Sequence, residues 1–187
     1  MLKKLFKDRK EWRAWLEKNY ANEKEIWLVF YKVKTKKESI KYAEAVEEAL
    51  CFGWIDSTVK RIDDEKHMQK YTPRNAKSNW SATNKARVKK LKKEGLMTEY
   101  GLAAVEIAKQ NGSWNRLDSI DIHMETPKIL TDALEINDIA RKKYEILAPS
   151  RKKQFLWWIE SAKREETKEK RIKETIRLLI ENKRPGE

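Results

Sequence analysis

One cysteine, Cys51, stands in a chain of 187 residues, so no intramolecular disulfide can form and a reducing compartment suits the protein. Histidine is almost as scarce, with His67 and His123 the only two. Neither C-x-x-C nor H-x-x-x-H spacing occurs, and Asp63, Asp64 and Glu65 run too contiguously to wrap a cation, so no metal site is expected. G-x-G-x-x-G and G-x-x-x-x-G-K are both absent, which leaves no phosphate cradle and no cofactor to expect. No run approaches the ~20 apolar residues that span a bilayer. The opening MLKKLFKDRKEW lacks the apolar stretch of a secretory leader, and a cytoplasmic location is the expectation. Five glycines and four prolines leave few breakers, so the elements should be long and mainly helical. The last absence is local: between residues 66 and 93 there is no Asp or Glu at all.

What fills that stretch is base. Lys66, Lys70, Arg74, Lys77, Lys85, Arg87, Lys89, Lys90, Lys92 and Lys93 carry ten of the formal net +13. Such a charge favours anionic partners, nucleic acid or acidic protein, although a lysine-rich surface also serves solubility. Eight tryptophans and a 40% hydrophobic content mark a folded chain rather than a disordered one.

Read in order, Asp8 and Glu11 form a capping signature ahead of Trp12, Trp15, Leu16 and Tyr20 at helical spacing. EIWLVFYKV, residues 25–33, is apolar at both parities and reads as a central strand covered on both faces. A helix over 42–52 ends at Gly53. WIDSTVKRI and HMQKYTP then form a hairpin across Asp63-Asp64-Glu65, stopped by Pro73. Parity places Asp56 and Lys60 on one face of the first hairpin strand. Ser78 or Ser81 can cap a helix through Lys93 that Gly95 ends, and Thr98 caps another with Leu102, Val105 and Ala108 or Ile107 inward. Beyond it, Thr131 or Asn137 caps a helix bearing Leu134, Ile139, Ala140 and Tyr144. Phe155, Trp158, Ile159 and Ala162 make an apolar stripe, and Ile172, Ile176, Leu179 and Ile180 another. The expected fold is α+β, a small and mainly antiparallel sheet with flanking helices, followed by a helical C-terminal subdomain. Its parts are an α+β domain over 1–115, a linker over 116–129, and three to four helices over 130–187.

EALCFGWIDSTVKRID, YTPRNAKSNWS and SRKKQFLWWIESAKREETKEKRI together resemble the YdeI/OmpD-associated, or bacteriocin-protection, family. The resemblance implies a bacterial stress or protection role and brings no accepted catalytic residues. It places the family's recurrent polar and aromatic positions at Trp54, Asp56, Lys60, Arg61, Thr72, Arg74, Ser78, Trp80 and Ser81.

The residues suggest binding rather than catalysis, and no side chain is put forward as catalytic. Cys51 and His67 flank the hairpin, but no third group orients such a pair, and Cys51 sits between Leu50 and Phe52 as a packed thiol would. The ligand or anion candidates are Trp54, Asp56, Lys60, Arg61, Arg74, Lys77, Ser78 and Trp80. Asp56 and Lys60 read either as an exposed ion pair or, with Arg74, as the lining of a polar pocket. Trp80 reads either as a plug or as a stacking platform. Lys85, Arg87, Lys89, Lys90, Lys92 and Lys93 form the candidate nucleic-acid or anion surface. The leading expectation is a non-enzymatic stress or protection protein holding an anionic partner on the basic 66–93 surface. The alternative is a small-molecule-binding protein or minor enzyme with a pocket between the 54–73 hairpin and the Arg74–Trp80 loop.

Overall fold

A computed structural model describes residues 1–121, 125–162 and 164–185; His123 lies outside them. The chain divides into two compact units, Met1–Asn115 and Arg116–Glu187.

The first unit runs β1 (Lys3–Leu5), α1 (Arg9–Asn19), β2 (Ile26–Tyr31), a 3-10 turn at Val33–Thr35, α2 (Tyr42–Cys51), β3 (Trp54–Arg61), β4 (Lys66–Pro73), α3 (Ala82–Lys93) and α4 (Glu99–Gln110). The strand order is β1-β2-β4-β3, with β1 parallel to β2 and the other pairings antiparallel. The fold is α+β, and its sheet is mixed because the short β1, which carries no apolar alternation, adds a parallel edge. Asp8 caps α1 by accepting from the amides of Lys10 and Glu11 at 2.8 and 3.0 Å. That cap starts a helix whose Trp12, Trp15 and Leu16 are all buried. Trp12 and Trp15 stack at 5.2 Å, Trp15 meets Trp54 edge-on at 6.0 Å, and the Trp12 indole donates to the Ala45 carbonyl at 3.1 Å. Ile26, Leu28 and Phe30 of β2 share this core with Tyr71 of β4 and Ala45, Val46, Ala49 and Leu50 of α2. The opposite parity of β2 is covered as well, since Trp27 is buried beneath the Lys60 and Lys70 ammoniums, 4.9 and 5.8 Å from its ring. Lysine stems lie on apolar surface while their charges stay wet.

The first two helices are also tied by charge. Glu48 of α2 is 2% exposed and takes Arg9 and Arg13 of α1 on its two oxygens, at 2.7 and 2.9 Å. A buried carboxylate held by two hydrogen-bonded cations is satisfied on both lone-pair edges.

The second unit is helical: α5 (Asp118–Asp121), α6 (Lys128–Ile136), α7 (Asp138–Glu145), α8 (Pro149–Glu160) and α9 (Glu165–Ile180). Asn137 ends α6 and caps α7, accepting from the Ala140 amide at 2.9 Å, so the one helix expected there is two. Residues 116–129, expected to link, place Leu117 and Ile120 in this unit's core beside Leu130, Phe155, Leu156 and Ile159. Leu156 takes the interior place given to Trp158, which is half-buried under the Arg171 guanidinium at 5.3 Å. At about 100° per residue, Leu156 and Trp158 flank Phe155 and Ile159 on opposite sides of α8, and the buried face includes the Leu156 side.

Candidate functional site

The hairpin breaks the parity that its sequence suggests. Asp56 pairs with Tyr71 and Val59 with Gln69, so Ser57 and Thr58 of β3 together oppose Lys70 of β4 and the strand bulges. An extra residue reverses the facing of everything after it. Lys60, opposite Met68, therefore lies on the other face from Asp56 and covers Trp27. The expected Asp56–Lys60 pair does not form. Asp56 instead accepts from the Tyr42 hydroxyl at 3.0 Å and the Gln69 amide at 2.6 Å. Beside it the Tyr71 hydroxyl is buried with no partner among the described residues, and burial and the Asp56 charge raise its pKa. Arg61 turns to Asp64 at the hairpin tip, away from this cluster.

At the other end of the hairpin the chain enters the loop 74–81. Arg74 donates its backbone amide to the Gly53 carbonyl at 2.8 Å, which fixes where the loop leaves the sheet. Its guanidinium lies over Trp80, 3.7 Å from the ring centroid, and Nη2 donates to the Asn79 carbonyl. Nε and Nη1 are buried and meet no acceptor among the described residues. Burial lowers the Arg74 pKa to about 10, against the opposing pull of Asp56. Trp80 is 2% exposed, so it is a plug, packed on Trp114 at 4.9 Å. Trp54 is likewise core, 1% exposed, with its indole bonded to the Tyr20 carbonyl at 3.2 Å. Ser78 closes a turn onto Asn75, Lys77 is exposed on that turn, and Ser81 caps α3. A cavity of about 210 Å³ opens beside Arg74 and Trp80, walled by Phe52, Gly53 and α4 from Tyr100 to Ile107. The structure thus brings Arg74 and Trp80 to one cavity and leaves Trp54, Asp56, Lys60 and Arg61 out of it.

The acid-free run does not make one surface. Lys66 and Lys70 lie over Tyr31 and Trp27 on the sheet. Within α3, Arg87 bonds Asn84 at 2.8 Å, and Lys90 pairs with Glu47 of α2 at 3.1 Å. Lys85, Lys89 and Lys92 recur at the spacing of one helix face and rim a groove of about 430 Å³ between α3 and α4. Val88, Leu102, Val105 and Trp114 floor that groove, and Lys109 of α4 completes the basic rim. Glu106 is the groove's sole acid, and Lys109 already holds it at 2.7 Å. Lys89 and Lys92 are exposed, the Lys92 charge adding to Lys109 in lowering the Glu106 pKa, and Lys93 is exposed in the last turn. The α4 and Trp114 half of this groove has no counterpart among the candidates read from sequence. Its one trace was the apolar spacing of Leu102 and Val105 on α4.

Cys51 is fully buried, and burial together with nearby Glu48 raises its thiol pKa to about 11. His67 stacks on Phe30 at 5.2 Å, on the strand run that leads away from Cys51. Among the described residues no group of three or more His, Cys, Asp or Glu side chains converges on a metal-sized point. No described helix is long and apolar enough to cross a membrane.

These features define a two-unit α+β and helical protein with two basic features, one a lysine-rimmed groove and the other an arginine-walled cavity. Residues 4–104, more than half of the chain, match the family "Domain of unknown function (DUF8412)", and the chain belongs to that family. Residues 123–182 match the family "Bacteriocin-protection, YdeI or OmpD-Associated", the family that the motifs resemble. GWID and the TPRNAKSNWS loop fall in the first match, and the Trp157-Trp158 motif falls in the second. No curated protein and no solved structure matches the chain.

Proposed function

We propose that this bacteriocin-protection-type protein acts by binding, not by catalysis, and holds an acidic amphipathic segment of a partner protein in the α3–α4 groove, in the cytoplasm. The observation that carries this reading is the combination of an apolar floor with a basic rim: Val88, Leu102, Val105 and Trp114 below, Lys85, Lys89, Lys92 and Lys109 around. A helix laid in such a groove buries its apolar stripe on the floor and sets flanking carboxylates against the lysines. Nucleic acid would use the lysines but gain little from valine and leucine, since bases want aromatic faces and phosphates want water or cations.

Fluorescence anisotropy tests the reading with a labelled acidic amphipathic helix, a basic one of the same apolar pattern, and labelled single- and double-stranded DNA and RNA, at two salt concentrations. The acidic helix is expected to bind and the basic one not to. Lys89→Glu/Lys92→Glu should weaken the acidic helix by about tenfold or more, with partial loss at high salt. Tighter, salt-steep binding of DNA or RNA would replace the protein partner by a nucleic acid, and no binding of any anion at low salt would overturn the reading.

A further inference from the structure

The cavity beside Arg74 has a composition opposite to that of the groove. Arg74 is its single charged group and Asn75 its one amide side chain, and its other walls are ring faces and small or aliphatic side chains, among them Phe52, Tyr100, Ala104 and Ile107. We propose that this cavity binds a small aromatic carboxylate, the carboxylate meeting the Arg74 guanidinium and the ring lying between Phe52, Tyr100 and Ile107.

Three observations converge on that class of ligand. The first is an unanswered charge. Among the described residues, two of the three guanidinium nitrogens are shielded from water and meet no acceptor, and the third is bonded to a backbone carbonyl rather than a carboxylate. The nearby acid, Asp56, is already engaged by Tyr42 and Gln69. Burying a cation without a partner is costly, and a chain that keeps one so is prepared for an anion supplied from outside. The second is preorganisation. Trp80 and the Asn79 carbonyl hold the plane of the guanidinium before any ligand arrives, so little freedom is left to lose on binding.

The third is size and wall chemistry. An apolar cavity of ~150 Å³ is enough for benzene, and this one, at about 210 Å³, takes one ring with a carboxylate. A single cation among largely apolar walls suits a monoanion and not a phosphate, which would call for several charged donors. The walls are also built to be close. Gly53 has φ +70°, and a Cβ there would come within 3.1 Å of the Tyr100 carbonyl. Bulk water does not reach Nε or Nη1, so a carboxylate that meets them comes by way of the cavity, and Trp80, stacked on the guanidinium, reports its arrival.

Sodium benzoate titrated into the full-length protein, followed by calorimetry, thermal shift and tryptophan fluorescence, tests the proposal against sodium acetate for the charge alone and benzyl alcohol for the ring alone. Benzoate is expected to bind saturably and raise the melting temperature, with both controls weaker by about tenfold or more. Arg74→Met should abolish that binding and leave the ligand-free protein as stable as before or more so, because it removes the unpaired charge while keeping the stem. Ala104→Phe keeps Arg74, fills the cavity and should abolish binding too; it decides the matter if the methionine variant fails to fold. Absence of benzoate binding, benzyl alcohol binding as tight as benzoate, or benzoate binding that survives in Ala104→Phe or in a folded Arg74→Met each overturns the proposal.

Discussion

At the scale of single residues, two groups that look reactive in the sequence are set by burial, and in opposite ways. Cys51 has no accessible surface, and its thiol is pushed up to about 11 by burial and the Glu48 charge. The thiolate is the reactive form, so this sulfur should be inert while the protein is folded. A disulfide-exchange reagent at pH 8 is expected to leave Cys51 untouched in the native protein and to titrate one thiol once denaturant unfolds it. Rapid native labelling would show that the α2 terminus opens. Arg74 is also withdrawn from water, but its charge persists, because a pKa of about 10 still leaves it protonated at neutral pH. Burial thus silences the thiol and sharpens the guanidinium. The sequence showed both residues and could not show the difference, which lies in neighbours far along the chain.

At the scale of elements, the parts written in local chemistry were legible. The Asp8 cap, the both-parity strand 26–31, the acidic hairpin tip and the Ser81 and Thr98 caps each follow from residues within a few positions. What was not legible depends on one residue of register or on a close approach between distant elements. The bulge between Asp56 and Val59 moves Lys60 to the opposite face, and nothing in WIDSTVKRI announces it. The docking of α4 on the end of α2 is equally hidden. The Cys51 carbonyl accepts from the Thr98 amide at 3.1 Å and from its hydroxyl at 2.5 Å, and Gly101 lies directly against it. A Cβ at Gly101 would come within 2.3 Å of that same carbonyl oxygen. This is contact with backbone, which cannot swing aside as a side-chain tip would. Alanine ordinarily favours a helix by about 1 kcal/mol over glycine. Here Gly101→Ala is expected to destabilise by about 1–3 kcal/mol through overpacking, read as a lowered denaturant midpoint. A neutral or stabilising result would mean that α4 stands further from α2. Since α4 walls both the groove and the cavity, the same change should weaken both sites.

At the scale of the whole molecule, the charge is uneven. Residues 1–115 carry 26 basic against 16 acidic side chains, a net +10, and residues 116–187 carry 17 against 14, a net +3. Most of the first unit's excess belongs to the acid-free run, yet that run is split between the sheet face, the Arg74 loop and α3, so the net charge says little about any one surface. Placement is what matters, and a pair of charge reversals separates placement from total. Lys89→Glu/Lys92→Glu alters the groove rim, while Lys142→Glu/Lys173→Glu alters two exposed lysines on α7 and α9 of the second unit. Both pairs lower the net charge by the same amount. If the groove holds the anionic partner, the first pair weakens the acidic helix by about tenfold or more and the second weakens it far less, because Lys142 and Lys173 line no part of the groove. Equal losses from the two pairs would mean that the partner responds to the field of the whole protein, and the lysines of α3 would then serve solubility and the C-terminal end of their own helix.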